Sequence, residues 1–308
     1  MAESDELREI ARLAMSGRRA DARTAILNLE PRIKGAELRL ELIDVALSVL
    51  NDVVDNPKKA LLSLEGAQIA ARMGQPGLQA HFMAKSAELA IYQVAIWYHR
   101  RSMLDLPPDW FQFATEAEMT EHKSLTILID KVEGEIDSRL SQAKIQAEQS
   151  GDKRVQASVL MSKGTIESAR YLQFKGNCMR HGFRAKIWAH FEIARYPLLE
   201  YALTFWNGDA QKLNSYVKAF TNSFLEAARL SEEIDDSLAG YAYFNLAVHL
   251  RSTYRFGACK KYAAKARAVA MKHNDTALLS QLPGLDEIIK AKNRDIPDYL
   301  AGETRKLN

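Results

Sequence analysis

The chain has 308 residues, of which 47% are hydrophobic and 26% charged, and its formal net charge is +3. That composition excludes a disordered chain, and the length suffices for two ordinary domains or one extended repeat array whose core needs no staple or cofactor. The two cysteines, Cys178 and Cys259, form no CxxC motif, which excludes a disulfide framework and a cysteine-only zinc site.

At the N-terminus, MAESDELREIARLAM carries acids from the third residue and has no uninterrupted apolar core, so it does not read as a secretory signal. The least polar stretches, Leu89 to Trp97 and Ser237 to Val248, fall short of the roughly 20 residues that a spanning helix needs. A soluble, cytoplasmic protein without membrane contact is expected.

Almost every segment repeats at helical period, and no run alternates with period two for long enough to make a sheet; about a dozen helices and no strands are expected. The first helix covers about Ser4 to Met15 and is punctuated by Ser16-Gly17. A short one follows to Glu30, ended by Pro31, and a longer one spans about Ala36 to Val53. Asn56-Pro57 fits an N-cap followed by proline at the first helical position, where the missing amide hydrogen would go unsatisfied anyway.

The helix Pro57 to Met73 carries Ala60, Leu64, Ala67, Ala70 and Ala71, stops at Gly74 and restarts after Pro76-Gly77. Adjacent prolines make 104–113 a loop, although it holds Leu104, Leu106, Trp110, Phe111 and Phe113. Ala114 to Gln149 reads as one long helix. Ser150-Gly151-Asp152 then turns into a helix through Ala157 and Leu160, and Gly176 to Phe183 reads as a glycine-flanked turn that interrupts it. Further corners stand at Asp235-Asp236-Ser237 and Asn274-Asp275. The breaks near 74, 151, 236 and 274 are separated by 77, 85 and 38 residues, that is two, two and one periods.

Alanines every three or four positions let helix backbones approach closely, and a Gly or Asp/Asn corner ends one helix and caps the next. In 237–273, Tyr243, Leu246, Ala247 and Leu250 form a large-large-small-large pattern, followed by Phe256 and Ala266. This pattern resembles the tetratricopeptide repeat family, most clearly there and less fully in 57–100 and 136–175. Cys259 stands where that family usually has alanine, and the region of Met271 replaces its terminal proline. The resemblance implies an all-α, right-handed superhelical array of antiparallel helix hairpins with no β-sheet, in which several hairpins stack because none covers its own apolar face. On this reading 1–56 is an N-terminal capping segment, 57–275 holds the repeats with an aromatic loop inserted at 104–113, and 276–308 is a C-terminal capping helix and tail.

Charge is unevenly placed. No acid occurs between Asp236 and Asp275, where Arg251, Arg255, Lys260, Lys261, Lys265, Arg267 and Lys272 fall. None occurs between Glu167 and Glu192 either, where Arg170, Lys175, Arg180, Arg184 and Lys186 stand among Tyr171, Phe174, Phe183 and Trp188. Lys261 and Lys265 are four apart and Lys272 seven further, so they share one helix face. Such faces either keep an array soluble or select an anionic partner. The aromatic-basic stretch fits core packing with outward arginines better than base stacking.

Common catalytic signatures are absent: no GxxxxGK[ST], no HExxH and no GxSxG. Arg184 with His190, and Arg267 with His273, stand in an RxxxxxH spacing that resembles the motif of helical RNases of the higher-eukaryote-and-prokaryote nucleotide-binding class. That resemblance implies an arginine on the phosphate and a histidine in proton transfer. The usual polar residue after the arginine is Ala185 or Ala268 here. Cys178, His181 and His190 lack a fourth ligand, and no metal site is expected.

The sequence therefore points to a non-catalytic scaffold or sensor module without cofactor or metal. It would hold an acidic peptide or protein segment in a concave groove, through Arg251, Arg255, Lys261 and Lys265 with Trp110 as apolar anchor. Its alternatives are the sensor region of a signalling (STAND-type) ATPase and a helical RNA-binding protein or RNase that would use Arg184 and His190. A homodimer through an unsatisfied terminal repeat is also left open.

Overall fold

The computed structural model describes residues 3–50, 54–104, 115–189, 209–253 and 255–292, with the backbone alone described at 102, 103, 176–189, 209, 210, 288, 291 and 292. Among the described residues there are eleven helices and no strand, and 89% of them are helical. In chain order the helices are α1 (Glu3–Met15), α2 (Arg19–Leu29), α3 (Ala36–Val49), α4 (Asn56–Arg72), α5 (Pro76–Leu104), α6 (Glu116–Ser150), α7 (Lys153–Ala189), α8 (Asp209–Glu233), α9 (Leu238–Ser252), α10 (Phe256–Lys272) and α11 (Thr276–Lys292).

The corners share one backbone device. Gly17, Gly74 and Gly151 take φ of +83°, +67° and +67°, while Asp235 and Asn274 each take +53°. At Gly74 the next amide, Gln75 N–H, donates to Ala70 O at 2.9 Å, and Gly74 N–H donates to Ala71 O at 3.1 Å. The same pair of bonds closes α8, through Asp236 to Ser231 and Asp235 to Glu232, and α10, through Asp275 to Ala270 and Asn274 to Met271. One left-handed residue thereby satisfies carbonyls that the helix end would leave bare, and glycine or asparagine is the residue type that reaches this conformation at least cost. The next helix starts on the following side chain: Asp152 Oδ1 accepts from Arg154 N–H at 2.8 Å, Asp236 Oδ1 from Leu238 N–H at 2.8 Å, and Asp275 Oδ1 from Leu278 N–H at 2.9 Å.

Three local expectations are corrected. The stretch 176–183 does not turn; α7 runs through it unbroken to Ala189. An interior glycine costs a helix only about 1 kcal/mol, which a long packed helix absorbs. Asn56 is not a side-chain cap: α4 begins at Asn56 itself, and its buried Nδ2 donates to Leu89 O at 2.9 Å. The third helix ends at Val49, since Leu50 is already extended with ψ of 146°. The 104–113 loop apart from Leu104 lies outside the described residues.

Two compact units divide the chain. The first comprises Met1–Ile96 and Ile129–Val155. In it α1 packs on α2 and α3, and α3 packs on α4, around Leu7, Ile26, Leu29, Leu42 and Ile43. Gly66 of α4 lets α5 approach, because a Cβ there would stand 3.0 Å from the ring of Phe82. Bidentate pairs join its helices at the rim: Arg23 to Asp55 at 2.7 and 2.6 Å, Arg32 to Glu6 at 3.0 and 2.8 Å, and Arg39 to Glu65 at 2.6 and 2.8 Å. The exposed Arg32–Glu6 pair fixes geometry more than it adds stability, whereas Arg23–Asp55 and Arg39–Glu65 are partly buried.

The second unit comprises Trp97–Leu128 and Gln156–Asn308. There α9 packs on α8, α10 and α11. Small residues set the spacing. A Cβ at Gly164 would come 2.8 Å from Phe224 Cζ, and one at Gly240 would come 2.8 Å from Leu278 Cδ2. Phe220 and Phe224 fill the space below, with Leu246, Leu250, Cys259 and Ala263 around them. This packing leaves α10 with a buried stripe of Cys259, Ala263, Ala266 and Ala270, which decides where its lysines point.

Candidate functional site

On α10 each residue advances the helix by about 100°, so Lys261, Lys265 and Lys272 fall roughly opposite the buried alanine and cysteine stripe. All three are exposed. Their surroundings differ. Lys272 pairs with Asp235 of the α8–α9 corner, and His273 Nε2 stands 3.5 Å from the same carboxylate. Arg267, on another flank of α10, pairs with Asp286 of α11. The acid-free run is thus partly neutralised by acids from just outside it.

Lys261 and Lys265 instead meet aromatic rings. Lys265 Nζ lies 4.7 Å from the centroid of Tyr243 on α9 and donates to its hydroxyl oxygen at 3.3 Å. Lys261 Nζ lies 5.6 Å from the centroid of Tyr262. The two tyrosine rings stack on each other, with centroids 6.0 Å apart and planes 12° from parallel. Tyr243 in turn donates its hydroxyl proton to Glu232 Oε1 of α8 at 2.8 Å. Burial, and secondarily that carboxylate, push the Tyr243 phenol well above its usual value, so it stays protonated. Three helices meet in this cluster, and the ammonium groups sit on ring faces at cation–π distance.

Arg251 is half-buried in the last turn of α9. Arg255 flanks the start of α10 and donates to Asn214 Oδ1 at 3.4 Å. Arg184 lies on α7, while Trp110 and His190 lie outside the described residues. In the other basic stretch, Arg170 pairs with Glu167, and Lys175 donates to Ser252 O at the end of α9 at 2.9 Å, where a cation complements the helix dipole. Tyr171 is a core ring that meets Phe220 edge-on. Arg267 and His273, six positions apart along α10 and its cap, point about 120° from each other toward different acids, so the described pair does not converge on one phosphate.

Sequence reading missed a Ser–His contact. Ser168 Oγ lies 2.5 Å from His249 Nδ1, 81 positions away in the chain, and no local spacing signals it. Ser168 is completely buried, and the His249 ring stacks on Phe224 at 5.5 Å and 10°. Desolvation lowers the imidazole to about 4. A nucleophile sealed from solvent meets no substrate, so this pair satisfies polar groups within the core.

No protein-family model and no curated protein matches the chain. Among the described residues, no group of three or more His, Cys, Asp or Glu could hold a metal ion, and no helix is long and apolar enough to cross a membrane. The cluster of Lys261, Tyr262, Lys265, Tyr243 and Glu232 is the arrangement with chemistry to offer: hydrogen-bond donors and positive charge at the surface, on a rigid aromatic base.

Proposed function

We propose that this protein is a non-catalytic binding scaffold, an array of tetratricopeptide-like helix hairpins that holds an acidic peptide or protein segment. The face carrying Lys261 and Lys265 supplies the charge recognition, with Arg251 and Arg255 extending it toward the α9–α10 corner. One observation carries the reading: Lys272 and Arg267 of the same helix are matched by acids, whereas Lys261 and Lys265 are exposed and rest on stacked tyrosines.

Physical chemistry sets what kind of partner fits. An exposed ion contact contributes only about 0.2–1 kcal/mol, so useful affinity needs several carboxylates together. Screening acts over about 8 Å at physiological ionic strength, so binding should weaken as salt rises. A segment rich in Asp and Glu meets both conditions, and lysines already placed on rings lose less side-chain freedom on binding than free ones.

The test uses the full chain and a fluorescein-labelled hexaglutamate peptide, with anisotropy measured at low and at physiological salt. The expected result is binding at low salt that weakens as salt is added. No change in anisotropy at low salt would sink the proposal. Tighter binding of a labelled oligouridine than of the peptide would move the reading to RNA.

A further inference from the structure

We infer that Glu232, acting through the hydroxyl of Tyr243, is an internal counter-charge that sets how strongly Lys265 holds an incoming carboxylate. The inference rests on the reading that this face binds an acidic segment. It assigns roles to Glu232 on α8, which lies outside the acid-free run of the sequence, and to Tyr243 on α9, which lies within it.

The Tyr243 hydroxyl has one proton to give. That proton goes to Glu232 Oε1 at 2.8 Å, which turns the oxygen lone pairs toward the Lys265 ammonium 3.3 Å away. Because the phenol is held protonated by burial and by the carboxylate, the polarity of this chain is fixed at neutral pH: ammonium to hydroxyl, hydroxyl to carboxylate. The ring of the same tyrosine lies under the ammonium at 4.7 Å. Lys265 is therefore anchored at a hydroxyl and at a ring face, with further N–H donors left for a ligand.

Glu232 is exposed and carries the only charge opposite in sign to the lysines within this chain of bonds. Its negative potential offsets that of Lys265 and so opposes an arriving carboxylate. Tyr243 couples the two: it orders Lys265 for binding and links it to the group that weakens binding. Tyr262 does neither, since its contact with Lys261 is through the ring face.

The coupling is tested on the full chain with the labelled hexaglutamate peptide at low salt. Glu232→Gln keeps an acceptor for the Tyr243 hydroxyl and removes the charge, and should tighten binding about threefold, the scale of one exposed ion contact. Tyr243→Phe keeps the ring and removes the hydroxyl, and should weaken binding by a similar factor. In the Tyr243→Phe background, Glu232→Gln should lose most of its tightening effect, because without the hydroxyl the exposed Glu232 side chain is no longer held beside Lys265. Thermal unfolding of each variant checks that the fold is kept.

Equal tightening by Glu232→Gln in both backgrounds, or wild-type affinity in Glu232→Gln, would overturn the inference. If the peptide binds and that binding is lost on charge reversal of Lys261 and Lys265, the proposed function stands even where the Glu232 effect is absent. If wild-type protein does not bind the peptide at all, both readings fall together.

Discussion

Ser168 Oγ and His249 Nδ1 meet 2.5 Å apart between α7 and α9, against the face of Phe224. The ring is hydrogen-bonded to the serine at Nδ1, and burial disfavours the imidazolium, so the folded-state value falls to about 4 from an ordinary 6.5. A histidine that is neutral in the fold stabilises it above its unfolded-state value. That stabilisation is lost as pH falls from the unfolded value of 6.5 to the folded value of about 4. The loss should reach at most about 3 kcal/mol, from 1.36 kcal/mol per pKa unit. Urea unfolding of wild type and His249→Gln between neutral pH and pH about 4 checks it: the wild type should lose more stability with acid than the variant. Parallel curves would contradict the assignment.

Gly164 and Gly134 both sit inside helices and should respond oppositely to alanine. At Gly164 the new Cβ would meet the Phe224 ring at 2.8 Å, and that ring is locked in the core, so about 1–3 kcal/mol should be lost. At Gly134 nothing lies within 4 Å, and Gly134→Ala should gain roughly 0.5–1 kcal/mol from helix propensity. Denaturant midpoints of the two variants decide the point, and a stable Gly164→Ala would show that α7 and α8 are not so closely packed.

The left-handed corners make a third pair. Gly74→Ala places a Cβ on a backbone with φ of +67°, and should cost about 1 kcal/mol although the space around it is empty. Asn274→Gly relieves the same conformation at φ of +53° and should be neutral to stabilising. A loss at Asn274 comparable to that at Gly74 would mean that the asparagine side chain has a role of its own.

These corners were the legible part of the fold. Gly74, Gly151, Asp235 and Asn274 sit where the sequence reading ends helices, because so few residue types tolerate φ above zero. Glycine was misleading where the backbone did not need that conformation. The glycine-flanked 176–183 stays inside α7, since a packed helix outweighs the local propensity. The site was legible only in part. Lys261 and Lys265 could be placed on one face from their spacing, but charge along the chain is not charge in space. Asp235, Asp286 and Glu232 come in from flanking helices and corners, and Tyr243 joins Lys265 to one of them. The Ser168–His249 contact spans 81 positions and has no sequence signature at all.

The most direct measurement is hexaglutamate binding by a Lys261→Glu, Lys265→Glu double variant beside wild type, at low salt and with matched thermal unfolding. Both side chains are exposed, and Lys265 makes its hydrogen bond to a tyrosine hydroxyl, so the fold should survive the change. The wild type should bind, and the variant should lose at least about tenfold in affinity, since two attractive contacts become repulsive. Equal binding by the two proteins would contradict acidic-segment recognition and leave the lysine face of α10 as a solvated surface.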